Sequence, residues 1–354
     1  MNIVFNPKYD PRNLYPEIIV NSLEKNGLNA YSLKNFFKDF RLLRTVKIVH
    51  LNWFENIVGK SFFKIRFNFF LKVLAILILR VAGKRIIWTM HNKVPHEKEK
   101  ESIQKKLMVL LIQYSSVIVV HSKLTEKYIF DLVPFDSKIE RKIKYVPHPD
   151  YIDRYGAITE PVKIDNDTKL NLLFMGAVKP YKNIELLIDI AKKHQNRFNL
   201  TIAGKPIPES YGRELLKRGK DCTNILFNLD FIDDDRLSGI ISNCDLFVLP
   251  YDKSSSLNSG TIMLAFSYKK SVISSEIGTV EDTEIKKINL IYNYKNAEEH
   301  LDILEYKIME AVELKKSDNT VFLNNGQLCY DFVKKNNNSD HVCSELINIY
   351  KHLV

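Results

Sequence analysis

Three residues suited to phosphate binding follow one predicted strand in the second half of the chain. The apolar run Leu170 to Phe174 leads to Gly176, Lys179 and Lys182, and a predicted helix comes next. Glycine permits close approach of the backbone, and each lysine can donate a charge-assisted hydrogen bond of about 1.5–3 kcal/mol to a phosphate oxygen. The spacing therefore predicts a diphosphate site at a strand-to-helix turn, with an ordinary solvated turn as the alternative.

A second polar segment follows the predicted strand Leu246 to Pro250. It begins at Tyr251 and ends with Ser259-Gly260-Thr261, where an apolar helix is predicted to start. Free backbone amides and hydroxyl groups at a helix N-terminus bind anions. The segment thus predicts a second part of an anion site, while helix capping by Ser259 alone is the alternative.

Other nucleotide-binding and metal-binding patterns are missing from the sequence. Neither G-x-G-x-x-G after the first strand nor G-x-x-x-x-G-K-[ST] occurs, which disfavours a nicotinamide dehydrogenase or a P-loop ATPase. The four cysteines form no C-x-x-C pair, so neither a zinc site nor a disulfide framework is indicated. Asp233-Asp234-Asp235 satisfies D-x-D, but its place before a predicted helix favours N-capping, and we expect no metal site and no cofactor.

The elements that position these residues are alternating short strands and helices in both halves of the chain. This alternation predicts the α/β class, with two doubly wound, Rossmann-like domains of parallel strands facing across a cleft. We expect domains at 1–155 and 165–325, followed by C-terminal helices at 326–354 that could pack back on the first domain. The Pro- and Asp-containing segment Tyr151 to Thr168 is interpreted as the linker between them.

Positive charge is concentrated in the first half of the chain. Residues 1–150 contain 26 Lys and Arg against 13 Asp and Glu, a net charge of +13, whereas the whole chain carries +10 because its second half is slightly acidic. An acidic polymer or an anionic membrane surface is the kind of partner that such a charge attracts. The sequence begins with a strand-like segment rather than a signal-peptide pattern, and no run approaches about 20 uninterrupted apolar residues, so we expect a cytoplasmic protein without a membrane span.

One predicted helix, over residues 61–80, combines basic residues with an apolar face. At ~100° per residue, seven large apolar side chains share about a third of its circumference: Phe63, Phe67, Phe70, Leu71, Leu74, Leu77 and Ile78. Such a face suits a helix lying on an anionic bilayer, and packing into the core of the first domain is the alternative.

Several short motifs, in order, resemble those of GT-B glycosyltransferases of the family-4 type, which build bacterial surface polysaccharides. The N-terminal ones are His50-Leu51-Asn52-Trp53, Trp88 to Glu97, and Val146-Pro147-His148-Pro149. The C-terminal ones are Phe174 to Lys182, Ile202 to Lys205, Phe231 to Asp235, Leu249-Pro250-Tyr251, and Ser259-Gly260-Thr261.

The resemblance implies a glycosyltransferase that binds a nucleotide-diphosphate sugar in its C-terminal domain and a glycan acceptor in its N-terminal domain. Donor binding then falls to Gly176, Lys179, Lys182, Gly204, Lys205, Phe231, Ile232, Tyr251, Ser259, Gly260 and Thr261, with Glu281 on a sugar or ribose hydroxyl. His91 would face the sugar across the cleft. Because cationic groups surround the leaving diphosphate, the resemblance implies catalysis without a metal.

One departure from the family concerns the mechanism. Many retaining members carry two glutamates where Ser256 and Leu264 stand in this chain. Both retaining and inverting mechanisms therefore stay open, and an inverting enzyme needs a general base, for which His91, Glu97 and the other acidic residues of the first domain are candidates.

These observations predict a cytoplasmic glycosyltransferase, peripheral at the inner face of the membrane, that acts in bacterial polysaccharide biosynthesis on an acceptor carried on a lipid diphosphate. A non-hydrolysing nucleotide-sugar epimerase is one alternative. A GT-B protein that binds glycans or anionic surfaces without catalysis is another. Nucleic acid is disfavoured as a partner, because the basic run is interleaved with aliphatic residues rather than with stacking aromatics.

Overall fold

The chain divides into two compact units, each built on a six-stranded parallel sheet. The computed structural model describes residues 1–59, 61–93, 98–159, 169–281 and 283–354, with only the backbone of Lys98 and Glu99. Unit 1 comprises residues 1–149 and 337–354, and unit 2 comprises residues 150–336. Glu97, one of the two predicted base candidates, lies outside the described residues.

Unit 1 alternates strands and helices, with sheet order β2-β1-β3-β4-β5-β6. Its strands are β1 (Asn2–Asn6), β2 (Asn29–Tyr31), β3 (Ile48–Asn52), β4 (Arg85–Thr89), β5 (Val117–Val120) and β6 (Ile143–Tyr145). Its helices are α1 (Tyr15–Lys25), α2 (Leu33–Lys38), α3 (Phe40–Thr45), α4 (Phe62–Val81), α5 (Lys98–Tyr114), α6 (Lys123–Leu132) and α7 (Ser137–Glu140). The central strands are buried along almost their whole length, as parallel strands covered by helices on both faces must be.

Unit 2 has sheet order β12-β11-β10-β7-β8-β9. Its strands are β7 (Leu170–Met175), β8 (Phe198–Ala203), β9 (Ile225–Asn228), β10 (Leu246–Leu249), β11 (Ser271–Ser275) and β12 (Leu290–Tyr292). Its α-helices are α8 (Ile184–Lys193), α9 (Glu209–Arg218), α10 (Asp234–Ser242), α11 (Gly260–Ser267), α12 (Gly278–Glu281), α13 (Ala297–Ser317) and α14 (Val321–Asn336), with 3₁₀ turns at Pro180–Lys182 and Glu284–Ile288.

The last helix, α15 (Ser339–Lys351), completes the core of unit 1. Its buried residues Val342, Cys343, Leu346 and Tyr350 pack in the same apolar cluster as β1, β3, β4 and β5, and the helix lies against α1. The fold of unit 1 is therefore completed by residues that follow the whole of unit 2 in the sequence.

The unit boundaries differ from the domain boundaries predicted at 155 and 326. Residues 151–159, expected to be part of a linker, are bound to unit 2: the Tyr151 amide donates to Ser267 Oγ (2.8 Å) and the Tyr155 amide to the Tyr268 hydroxyl (3.0 Å). The predicted boundary at 326 falls inside α14, which belongs to unit 2 up to Asn336. The rest of the expected linker, residues 160–168, lies outside the described residues.

Candidate functional site

The predicted phosphate-binding segments of unit 2 lie at the reversal point of its sheet. The strand order runs outward from the neighbouring pair β7 and β10, so the connections leave these two strands in opposite directions. Gly176 directly follows β7, and Tyr251 follows β10 after one residue. Open α/β sheets bind their ligands at the carboxyl ends of strands at such a point.

The backbones of two predicted donor residues meet there, beside the side chain of a third. Gly204, which follows β8, has φ +138°, and a Cβ atom on it would lie 1.9 Å from the carbonyl oxygen of Gly176. Gly176 itself has φ +124°, and its own Cβ would come within 3.3 Å of Thr261 Oγ1. Side chains at either glycine would therefore fill the space in which the strand ends and the start of α11 approach one another.

Lys182 reaches this point from the 3₁₀ turn after β7. Its Nζ atom lies 3.6 Å from the centroid of the Tyr251 ring and 5.1 Å from that of Tyr181. Burial lowers the pKa of the Lys182 ammonium. The two aromatic rings attract this ammonium group only weakly, and an anionic ligand would stabilise its charged form more strongly.

Tyr251 is fixed beneath this ammonium group. Its hydroxyl accepts a hydrogen bond from Ser259 Oγ (3.0 Å), and Ser259 Oγ in turn accepts from the Ile262 amide (3.3 Å) as the N-cap of α11. Asn183 Nδ2 donates to the Pro250 carbonyl oxygen (3.0 Å), which ties the turn after β7 to the turn after β10. Ser259 therefore caps α11, and the segments after β7 and β10 also converge.

The remaining predicted donor residues are distributed along the same edge of the sheet. Lys179 is half-buried, with its Nζ 6.0 Å from the Tyr181 ring, and Lys205 is exposed after β8. Phe231 is 55% exposed and Ile232 half-buried in the loop after β9. Gly260 is the first residue of α11, and Glu281 is the exposed last residue of α12.

Two expectations about polar loops need correction. The hydroxyls of Ser254 and Ser255, part of the cluster predicted to bind an anion, are bonded to the carboxylate of Asp252. Asp233 occupies the N-cap position of α10 as predicted, but its side chain makes no capping hydrogen bond. Among the described residues, no group of three His, Cys, Asp or Glu side chains is arranged to hold a metal ion.

The carboxyl edge of the unit 1 sheet carries a cluster of rings around His91, which we call the histidine cluster. It consists of Tyr15 on α1 and four residues shortly after β3 to β6: Trp53, His91, His121 and His148. The His91 ring stacks on Trp53 with a centroid distance of 4.0 Å and lies 5.1 Å from the His121 ring. Its Nε2–H donates to Asn52 Oδ1 (3.0 Å).

The imidazoles of this cluster are held neutral. Burial lowers the pKa of His121 to about 4 and that of His148 to about 3, and it places the pKa of His91 well below its usual range. His121 Nδ1–H donates to the Val146 carbonyl oxygen (2.8 Å), so in the neutral ring Nε2 is the nitrogen that can accept a hydrogen bond. Nε2 has no partner among the described residues, and neither has Asn52 Nδ2, so this edge offers both an acceptor and a donor to a hydroxyl-bearing ligand.

A buried chain of hydrogen bonds stabilises the histidine cluster. His50 lies between the Tyr350 hydroxyl and Thr89 Oγ1, at 2.6 Å from each, and Thr89 also bonds the Tyr15 hydroxyl. The C-terminal helix α15 is thus connected to Tyr15, whose ring borders His91, His121 and His148.

Sequence reasoning singled out His91 but missed the rest of the cluster. His91, His121 and His148 follow one another at intervals of about 30 residues, each shortly after an apolar strand, and His50 lies within the strand before them. Parallel strands bring their carboxyl ends to one edge, so this repeated strand-then-histidine pattern was the signal that could have found them.

The apolar face predicted for residues 61–80 points away from the body of unit 1. In α4 only Ile65, Ile76 and Leu79 are buried, whereas all seven side chains of the predicted face are 40–83% exposed. Core packing of this face, the alternative, is therefore wrong. Two basic residues, Lys72 within the segment and Lys84 shortly after it, are bonded to backbone instead: Lys72 Nζ donates to the Phe54 and Asn56 carbonyls, and Lys84 Nζ to the Leu43 and Val46 carbonyls.

No helix in the described part of the chain has the length and apolarity needed to cross a bilayer. Lys64, Arg66 and Arg80 are exposed on α4 beside the apolar face. Lys60 lies outside the described residues.

Comparison with known proteins supports the glycosyltransferase interpretation. Residues 159–319 match the family model "Glycosyl transferases group 1". A GDP-mannose:glycolipid 4-beta-D-mannosyltransferase of Xanthomonas campestris pv. campestris is 24% identical over 240 residues, which cover 66% of this chain and 62% of that enzyme. The match therefore spans less than two thirds of this relative.

Solved structures share the whole fold at low identity. Sucrose-phosphate synthase from Thermosynechococcus elongatus superposes with a TM-score of 0.72 at 12% identity, covering 99% of this chain and 98% of that one. Anabaena HepE, solved in complex with UDP-glucose, gives a TM-score of 0.68 at 10% identity, covering 99% and 100%. Together with the family match, these similarities confirm the resemblance to GT-B glycosyltransferases and the predicted fold of two Rossmann-like domains.

Proposed function

We propose that this protein is a glycosyltransferase that moves a sugar from a nucleotide-diphosphate donor, bound by unit 2, to a glycan acceptor bound by unit 1. The observation that carries the proposal is the convergence of Gly176, Gly204, Lys182 and Thr261 at the reversal point of a sheet within the segment matched to the glycosyltransferase family. The name of the Xanthomonas relative makes GDP-mannose the first donor to test.

In this proposal the diphosphate is the leaving group, and unit 2 stabilises it. The acceptor oxygen forms a bond to the anomeric carbon, the bond from that carbon to the diphosphate oxygen breaks, and negative charge develops on the diphosphate. Lys182, Lys179 and the amide groups at the start of α11 supply positive potential to that charge, which makes a metal unnecessary. The remaining proposed donor contacts come from Lys205, Phe231, Ile232 and Glu281.

The acceptor hydroxyl loses its proton in an inverting reaction. We propose His91 or Glu97 as the group that receives it. The place of His91 at the carboxyl edge of the unit 1 sheet supports its choice, because Asn52 Nδ2 and His121 Nε2, which have no partner among the described residues, can hold an acceptor hydroxyl there.

A lipid-linked acceptor and peripheral membrane contact complete the proposal. The exposed apolar face of α4, about 30 Å long for 20 residues, is flanked by Lys64, Arg66 and Arg80. Large apolar side chains beside basic ones suit the boundary of an anionic bilayer, where each basic side chain contributes about 1 kcal/mol. A role in bacterial polysaccharide biosynthesis at the inner face of the membrane follows from the same proposal.

The test begins with donor binding and continues to transfer. Purified protein is heated with GDP-mannose, UDP-glucose and other nucleotide-sugars; a bound donor at 100 times its dissociation constant stabilises by about 2.7 kcal/mol. The stabilising donor, radiolabelled in its sugar, is then incubated with membrane lipid extract, and label is expected in the lipid fraction.

Two results would contradict this function. Conversion of the sugar on the donor without any acceptor would identify an epimerase. Donor binding without release of nucleoside diphosphate, whichever glycan or lipid is added, would identify a binding protein.

A further inference from the structure

The buried side of α4 makes a specific contact with the loop that follows β3. Lys72 projects from this side, and its Nζ donates to the Phe54 carbonyl oxygen (2.7 Å) and to the Asn56 carbonyl oxygen (2.6 Å). The same ammonium lies 4.8 Å from the centroid of the Phe54 ring. Charge-assisted hydrogen bonds of this kind hold a backbone more firmly than neutral ones.

Glu55, between those two carbonyl groups in the chain, fixes the loop from the other side. Its side chain is buried, and its Oε2 accepts a hydrogen bond from Trp88 Nε1 (2.9 Å) on β4. The Lys72 ammonium and the Glu55 carboxylate also attract each other. Residues 53–56 are therefore held between α4 and β4.

This loop carries a residue in a strained conformation. Trp53 has φ +50°, in the left-handed region that a bulky side chain rarely adopts. Such a conformation persists only when neighbouring contacts fix it. In this conformation the Trp53 indole stacks on the His91 ring, with a centroid distance of 4.0 Å and an angle of 15° between the rings.

We propose that Lys72 is a positioning residue, whose two hydrogen bonds to the 53–56 loop keep Trp53 stacked on His91. It acts through the loop and touches no substrate. Loss of these bonds lets Trp53 relax to an ordinary backbone conformation and removes the ring that covers His91. The effect on transfer rests on the proposed function, whereas the placement of the ring does not.

The placement is tested by NMR on the histidine Cε1–H signals of the intact protein, with the His91 signal identified by its loss in His91→Asn. Stacking on an indole displaces that signal through the ring current. In Lys72→Met we expect the His91 signal to move to its position in Trp53→Leu, and in Lys72→Arg, which retains donors for both carbonyls, to stay near its wild-type position. Lys64→Met is the matched control, because Lys64 is exposed on the same helix, and it should leave the signal unchanged.

The consequence for transfer is tested by a double-mutant cycle. If Lys72 acts through Trp53, then Lys72→Met slows transfer in the wild-type background and causes no further loss in Trp53→Leu. A purely structural role would give losses that multiply. If Lys72→Met does not fold, Lys72→Gln provides the same two measurements with a neutral donor.

Two results overturn the proposal: a His91 signal that stays at its wild-type position in the folded Lys72 variants, or multiplicative losses in the cycle. If the signal moves as expected and no sugar transfer occurs with any donor, the positioning role stands and the proposed function fails.

Discussion

Replacing the ammonium group of Lys182 provides the sharpest test of the proposed donor site. Lys182→Met keeps the aliphatic stem that packs on Tyr251 and removes only the charge that lies 3.6 Å above its ring. A charge-assisted contact to a phosphate oxygen contributes about 1.5–3 kcal/mol, and tenfold in affinity corresponds to about 1.4 kcal/mol. The variant should therefore bind GDP or UDP about 10- to 150-fold more weakly.

Titration calorimetry with GDP and with UDP measures this loss directly. Lys217→Met is a suitable control, since Lys217 is an exposed lysine near the end of α9 in the same unit. Its affinity for both nucleotides should equal that of the wild type, and both variants should keep the wild-type thermal midpoint. An unchanged affinity in Lys182→Met would mean that the cation above Tyr251 does not contact the diphosphate, and the donor site would have to be placed elsewhere.

Four further outcomes are expected. Sugar transfer should persist in excess EDTA because lysines neutralise the leaving diphosphate; a loss that Mg²⁺ or Mn²⁺ restores would contradict this. Gly204→Ala should abolish nucleotide binding and lower the thermal midpoint, because its Cβ would lie 1.9 Å from the Gly176 carbonyl oxygen, and calorimetry beside thermal unfolding checks both effects. Joint replacement of Lys64, Arg66 and Arg80 by glutamine should weaken sedimentation with anionic vesicles, whereas glutamines at Arg213, Lys217 and Lys220 of unit 2 should not; equal binding of the wild type to neutral vesicles would refute an electrostatic contribution. Unit 1 should lose stability as the pH falls from 6.5 towards 4, because the unfolded chain protonates His121 near pH 6.5 and the folded chain only at about pH 4. At pH 5 the free energy of unfolding should be lower by about 2 kcal/mol for this residue, which tryptophan fluorescence detects as a lower urea midpoint. This decrease in the midpoint should be smaller in His121→Asn.

The acid prediction can be assigned to one unit because of where the tryptophans lie. The chain has two, and both Trp53 and Trp88 belong to unit 1. Their fluorescence therefore reports unfolding of the unit that contains the histidine cluster. A urea midpoint that does not change between pH 7 and pH 5 would show that the buried imidazoles are protonated as easily in the folded state as in the unfolded state.

Periodicity made most of the fold predictable from the sequence. The predicted strands Leu170 to Phe174 and Leu246 to Pro250 and the predicted helix over 61–80 agree with β7, β10 and α4 to within one residue at each end, because apolar spacing distinguishes a helix from a strand over such lengths. Strands β2 and β12 were missed, since three residues each are too few to show any period.

Periodicity could not show which way an apolar helix face is oriented. The apolar stripe of α4 was located correctly, yet a helical projection does not say whether a stripe faces the core or the outside. The contacts of Lys72 had no signal of this kind either, because its partners are backbone carbonyl groups and these have no signature in the sequence. The same limit applied to the histidine cluster, whose members meet only after four parallel strands have aligned.

The return of α15 to unit 1 has a consequence for the order in which the protein folds. Unit 2 is one continuous stretch, residues 150–336, and every strand of its sheet has been synthesised before α15 emerges from the ribosome. Unit 1 is made first, but its core lacks Val342, Leu346 and Tyr350 until all of unit 2 has been synthesised, and His50 lacks its hydroxyl partner for as long. The second-made unit can thus finish folding before the first, and the nascent N-terminal sheet must wait with an uncovered apolar surface for about two hundred residues of translation.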